Sequence, residues 1–169
     1  IGGIMMKQCL NALIEDPKTE IIVLVSKPPA KDVEDQILKI AANAGKPVVV
    51  CFIGGDAEKI KKAGLYAAVS LEDAAHKAVA LAKGEAVSDF EDFTMGLEKA
   101  EALAAEERAG MIQGQKYVRG LYTGGTICDE AMKLLIGSMG HIYSNIPLKA
   151  EDKLENARNG KSRENTFLD

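Results

Sequence analysis

Nothing in the sequence approaches the roughly eighteen consecutive apolar residues of a membrane-crossing helix, and no signal peptide stands at its start. No membrane partner is expected. Cysteine is scarce: Cys9, Cys51 and Cys128 are odd in number, scattered and without Cys-x-x-Cys spacing, so they read as reduced thiols of a cytoplasmic protein. Histidine is scarcer still. His76 and His141 stand alone, and two lone histidines make no metal site. Charge of one sign is not in surplus, since 21 Lys and Arg against 25 Asp and Glu give a net charge of −4. That excludes a general electrostatic attraction to nucleic acid or anionic lipid. Neither a Gly-x-Gly-x-x-Gly fingerprint nor a P-loop occurs, and there is no short-period repeat.

What is present suits a globular chain. Of its 169 residues, 47% are hydrophobic and 27% charged, enough for a core in one domain or slightly more. Tyr117 to Leu135 stands out. Tyr117, Val118, Leu121 and Tyr122 suit a short buried strand, and Gly124 and Gly125 break it. Thr126 can then cap a helix with apolar positions Ile127, Ala131, Leu134 and Leu135. Free backbone N–H groups and the positive end of a helix dipole would meet there, beside two residues without Cβ. The turn reads either as a phosphate or carboxylate site at Gly124, Gly125 and Thr126, or as a plain strand-to-helix corner.

The earlier part alternates. Met6, Leu10, Leu13 and Ile14 share one helical face between Ile4 and Glu15, and Asp16 with Pro17 ends that helix. Ile21 to Val25 reads as a strand buried on both faces of a parallel sheet. A helix with the stripe Val33, Ile37, Ile40, Ala41 and Ala44 follows Pro29, and Pro47 opens a second buried strand, Val48 to Ile53. Gly54 and Gly55 turn into a short helix over Ala57 to Ala63. Leu65 to Val69 is a third strand, and Leu71, Ala75, Ala78, Val79 and Ala82 mark a closing helix. This is the pattern of βαβ units. Phe90 and Phe93 mark a linker that docks by its aromatics, and Gly96 to Gly110 is a good helix former with a thin apolar stripe. Ile142 and Tyr143 suggest a strand, and Asn145 to Asn165 a surface excursion. Expected domains are 1–84, a helical linker 85–116, and the beginning of a second α/β unit at 117–169.

The stretch Leu10 to Gly55, with Asp16, Pro17, Thr19, Glu20, Lys46, Pro47, Val48 and Val49, resembles the CoA-ligase domain of the succinyl-CoA synthetase alpha subunit. Val69, Ser70 and Leu71 look like that domain's last strand-to-helix corner. The Ser-Lys-Pro-Pro-Ala stretch at Ser26 to Ala30 and the Gly-Leu-Tyr-Thr-Gly-Gly-Thr stretch at Gly120 to Thr126 resemble the FdrA group of acyl-CoA synthetase-like proteins more closely. The resemblance implies a flavodoxin-like parallel sheet with helices on both faces, its first strand missing, followed by the start of a second ligase-like unit. Gly2 and Gly3 would be the tail of a Gly-rich loop, and the chain an internal fragment. CoA and a nucleotide would be bound largely by flanking domains or partner subunits, and a homo-oligomer is expected.

The departures from that family bear on chemistry. Succinyl-CoA synthetases use a histidine in a Gly-His-Ala-Gly loop after the strand matching Val48 to Ile53, and a glutamate after the strand matching Ile21 to Val25. Here Gly54 and Gly55 run through Asp56 into Ala57, and Lys27 takes the glutamate's place. No phosphohistidine chemistry is expected. The candidate anion-binding residues are Ser26, Lys27, Gly54, Gly55, Gly2 and Gly3, with Gly124 to Thr126 in the second unit. Lys27, at a strand's C-terminal edge, is either a ligand group or a solvated loop lysine. Cys128, in a helix's first turn, is either a reactive thiol or a packed small residue. His76 and His141 read as surface residues. Three functions remain open: acyl-CoA synthetase-like transfer without phosphohistidine, a subunit of an oxamate carbamoyltransferase-like complex, and a non-catalytic assembly scaffold.

Overall fold

A strand-to-helix alternation organises the computed structural model, which describes residues 2–90, 95–155 and 161–169. It is a mixed α/β protein with two compact units, Ile1–Phe90 and Glu91–Asp169. In the first, α1 (Ile4–Glu15), β1 (Ile22–Ser26), α2 (Lys31–Ala42), β2 (Val48–Phe52), α3 (Ala57–Lys62), β3 (Tyr66–Ala67) and α4 (Leu71–Lys83) follow in order. The three strands are parallel in the order β1-β2-β3, with Ile22 opposite Val48 and Val49 opposite Tyr66.

The pleat of β2 divides the core. Val48, Val50 and Phe52 face a cluster built with Leu10 of α1, Ile37 and Leu38 of α2, and Ile60 of α3. Val49, Cys51 and Ile53 face Ala74, Leu71, Ala78 and Leu81 on the side of α4. Helices therefore cover both faces of β2, which explains its unbroken apolar run. β1 differs from expectation. Ile22 and Leu24 are buried, but Val23 and Val25 are 40% and 41% exposed, because β1 is an edge strand. The stripe of α4 is also rotated. Ala75 and Ala82 are exposed and Val79 is 51% exposed, while Asp73, Ala74 and Lys77 turn inward.

That rotation serves a polar network. Lys77 Nζ donates to Ala67 O (2.6 Å), Asp73 Oδ2 (2.8 Å) and Asp89 Oδ1 (2.7 Å), which uses all three of its donors. Asp73, 0% exposed, also accepts from the N–H groups of Val69 (3.0 Å) and Phe90 (3.1 Å). The segment after α4 is thereby tied to β3 and α4. Phe90 stacks on the exposed His76 ring, centroids 4.2 Å apart, so the expected aromatic docking holds at Phe90. Phe93 lies outside the described residues.

In the second unit α5 (Leu97–Ala109) buries no residue. β4 (Arg119–Leu121), α6 (Gly125–Met139), β5 (Tyr143–Ser144) and β6 (Thr166–Leu168) form a second parallel sheet in the order β4-β6-β5. Two expectations fail. β4 is not a buried strand: Leu121 is 83% exposed, and Tyr117 and Val118 each 43%, because β4 is an edge. The stripe of α6 holds at Ala131 and Leu135, which pack on the core, but not at Ile127 and Leu134, which are 56% and 71% exposed; Cys128 and Met132 are the fully buried positions. α6 is apolar on more than one side, so periodicity allowed two faces. The choice falls to contact with Phe167 and Ile142.

Candidate functional site

Three of the residues singled out by sequence converge on one cavity in the first unit. It has a volume of about 250 Å³ and lies where β1 and β2 end, bordered by Ser26 and Phe52. Open parallel sheets bind ligands at that edge. Gly2 and Gly3 border it from the start of α1, and Pro29 and Ala30 from the start of α2. Neither helix has a side-chain hydrogen bond at its N-cap, and α1 has no acidic residue in its first turn. Two helix N-termini without a side-chain cap therefore flank one hollow, that of α2 carrying Asp32 and Glu34 in its first turn. Met6, Val33 and Ile37 make the rest of its wall apolar.

Gly3 is required by this geometry. Its φ is +60°, and an added Cβ would stand 2.5 Å from Val33 Cγ1. The other candidates of this unit sit close by but do not border the cavity. Lys27 is exposed on the loop after β1. Gly54 and Gly55 form the turn after β2, where a Cβ on Gly55 would stand 3.0 Å from Phe52 O and 3.5 Å from Pro28 Cγ. The two loops at the sheet's edge thus run close together at Gly55 and Pro28.

Asp16, Thr19 and Lys46, three of the residues that carry the resemblance, are architectural. Thr19 Oγ1 donates to Asp16 Oδ2 (2.6 Å), and Lys46 Nζ donates to Leu13 O (2.9 Å) and Asp16 O (2.6 Å). They close the C-terminus of α1 and hold a cation against its last carbonyls. Thr19's hydrogen bond, first among several, holds the Asp16 carboxyl below its ordinary range.

In the second unit Gly124, Gly125 and Thr126 do form the N-terminus of α6, but Thr126 is not its cap. Gly124 occupies that position without a side-chain hydrogen bond, and Thr126 falls inside the first turn. The helix begins two residues earlier because Gly124 adopts the extended backbone that a cap needs. A carboxylate already lies there: a Cβ on Gly125 would stand 2.9 Å from Asp169 Oδ2 and 3.4 Å from Ile146 Cδ1. Asn145 anchors Asp169, with its amide donating to Asp169 O and its Oδ1 accepting from Asp169 N–H, both at 3.0 Å. The side chain of Asp169 therefore occupies the space beside Gly125. Gly125→Val is expected to destabilise the second unit by about 1–3 kcal/mol through this overlap. Gly124→Ala, with nothing within 4 Å of the new Cβ and an extended φ of 173°, should change stability by less than about 0.5 kcal/mol. Urea unfolding followed by circular dichroism distinguishes them, and equal midpoints would disprove the contact. Cys128 is 0% exposed within the core of this unit, the packed alternative for that residue.

Sequence reasoning missed a third grouping. His141 Nδ1 lies 2.7 Å from Asp152 Oδ1, and Glu151 places a carboxylate oxygen in the same cluster. Eleven residues separate the ring from its partner, and no spacing rule links them. The segment expected to be a surface excursion instead carries a 3-10 turn, Ala150–Asp152, paired back beside β5 through Ser144 and Lys153.

Among the described residues no helix is long and apolar enough to cross a membrane. No protein-family model matches the chain. The chain is similar to an uncharacterized protein, YahF of Escherichia coli strain K12, with 40% identity over 169 residues. That alignment takes in 100% of this chain and 32% of YahF, so the chain spans about a third of the length of the relative it matches.

Proposed function

We propose that the first unit is a flavodoxin-like CoA-ligase domain of an FdrA-type, succinyl-CoA synthetase-like protein, and that its cavity holds the phosphate of an acyl or carbamoyl phosphate. The observation that carries this reading is the joining of Gly2, Gly3 and Ser26 at the C-terminal edge of a parallel sheet, between two helix N-termini without side-chain caps. The Ser26 hydroxyl and the first-turn N–H groups would hold phosphate oxygens, and the apolar wall of Met6, Val33 and Ile37 would keep water from the anhydride. A volume of about 250 Å³ suits a phosphate with a short acyl or carbamoyl group and is below the range of most drug-sized pockets. CoA and a nucleotide, which bring the thiol acceptor and the phosphoryl donor, would then be held mainly by other parts of the assembly.

Carbamoyl or acyl transfer within a larger complex of the oxamate carbamoyltransferase type is the second reading. Gly54, Gly55 and Asp56 supply no histidine, and Lys27 stands where the resemblance calls for a glutamate, so a mixed anhydride would replace a phosphorylated side chain. The unpaired edge of β1, with Val23 and Val25 exposed, fits pairing with a flanking domain, a partner subunit or another copy.

Calorimetric titration of the full chain with acetyl phosphate, carbamoyl phosphate and inorganic phosphate tests the site. Binding of at least one acyl or carbamoyl phosphate more tightly than phosphate itself is expected. Ser26→Ala should weaken it about tenfold, the loss of one hydrogen bond to a charged group. Absence of binding by all three would leave the assembly-scaffold reading in its place.

A further inference from the structure

We propose that His141, Glu151 and Asp152 form a binding site for a divalent transition-metal cation of the Zn²⁺ class in the second unit, independent of the phosphate site. The three residues each offer a donor atom, and these atoms lie within 4.8 Å of one another. The set is mixed: one imidazole and two carboxylates. Imidazole favours zinc-like ions over Mg²⁺ and Ca²⁺, which prefer oxygen throughout.

A second observation points the same way. Asp152 is 1% exposed, yet its Oδ2 has no hydrogen-bond partner among the described residues. Its Oδ1 is engaged by the His141 ring. A buried carboxylate oxygen without a donor is costly, and native proteins seldom leave one so. A cation bound by this carboxylate satisfies it. The neighbouring structure explains how the donors are held in place. Gly140, with φ +75°, ends α6 and sets His141 at the entry to β5, and the His141 ring stacks beside Tyr143 with centroids 6.2 Å apart. Asp152 is fixed by its N–H donating to Lys149 O (3.1 Å) in the 3-10 turn. His141 and Glu151 are the exposed members, so an ion can reach the cluster from solvent while Asp152 anchors it from beneath.

Three protein donors leave at least one position of a tetrahedral ion open to water or another ligand. Binding would replace the present His141–Asp152 hydrogen bond with two metal bonds, its proton passing to the imidazole Nε2 or to solvent.

The test is Zn²⁺ titration of the full chain by calorimetry, with melting temperature as a parallel readout, in a Cys9→Ser background because Cys9 is an exposed thiol. One Zn²⁺ per chain and a raised melting temperature are expected, with Mg²⁺ giving neither. His141→Ala and Glu151→Gln, both at exposed positions, should each weaken Zn²⁺ more than about tenfold. His76→Ala, at the other histidine, should not. Asp152→Asn keeps the side chain's shape and should abolish the site; if it fails to fold, the two exposed variants still decide. No binding by the parent protein, or unchanged Zn²⁺ affinity in both His141→Ala and Glu151→Gln, would overturn the proposal.

Discussion

Lys77→Met is expected to lower the stability of the first unit by about 3–5 kcal/mol, the usual loss when one partner of a buried ion pair is removed. Asp73, 0% exposed, would keep its backbone donors at Val69 and Phe90 but lose its cationic partner, and Ala67 O would lose a 2.6 Å hydrogen bond. Methionine fills similar volume, so the loss would be electrostatic rather than a cavity. Replacing Asp73 as well would not restore stability, because the N–H groups of Val69 and Phe90 would then be unpaired. Chemical denaturation of the full chain measures this, and a shift below about 1 kcal/mol would refute the account.

The same network fixes a pH dependence. Burial opposes the charged Lys77, but the hydrogen bonds from its ammonium to Asp73 and Asp89 outweigh that and raise its pKa above the ordinary lysine range. A raised lysine contributes fully below the unfolded value, about 10.4, and its contribution is lost as pH rises through the folded value. Lys77 therefore stabilises throughout the neutral range and weakens only in strong alkali. Asp89 shifts the other way, chiefly through its hydrogen bond from Lys77, and its contribution is lost only as pH falls through its lowered value.

Gly3→Val should have the second large effect, on both stability and binding. A φ of +60° costs a side-chain-bearing residue about 1–2 kcal/mol. The new Cβ would also stand 2.5 Å from Val33 Cγ1 and 3.6 Å from Ile37 Cδ1. Val33 cannot move aside cheaply, because a β-branched side chain in a helix has essentially one rotamer. The overlap adds about 1–3 kcal/mol and pushes α1 away from α2. Since Gly3 and Val33 both border the cavity, acetyl phosphate binding should be lost with it. Gly2→Ala is the comparison: it has the same strained φ, +63°, but nothing within 4 Å of the added atom. It should show the backbone strain alone. Equal destabilisation by both substitutions would mean that close packing of α1 on α2 does not depend on Gly3.

How much was legible in the chain follows from which interactions are local. The bounds of α1 agree with the expected Ile4 to Glu15, and the buried strand expected over Val48 to Ile53 forms as Val48–Phe52, because a continuous β-branched run in a βαβ pattern has few other homes. The gathering of Gly2, Gly3 and Ser26 was anticipated only as a set of candidate residues. Their meeting in one cavity, with Lys27, Gly54 and Gly55 left outside its wall, depends on where α1 and α2 settle on the sheet. Asp73 and Lys77 stood four residues apart, a spacing visible in the sequence, yet an apolar count placed the buried face of α4 on the alanines and Val79 instead.

The sequence by itself determined the alternation of strands and helices, the parallel pairing and the glycine turns, because these rest on period, propensity and φ over a few residues. Tertiary structure alone decided which strands are edges, which face of α4 and α6 turns inward, and which distant polar groups meet. β6 joins β4 to β5 and brings Phe167 onto Cys128 and Met132. The 3-10 turn carries Asp152 back to His141 across eleven residues. Such contacts depend on packing between segments far apart in the chain, and a helix with apolar residues on several sides leaves the choice of face to its partner.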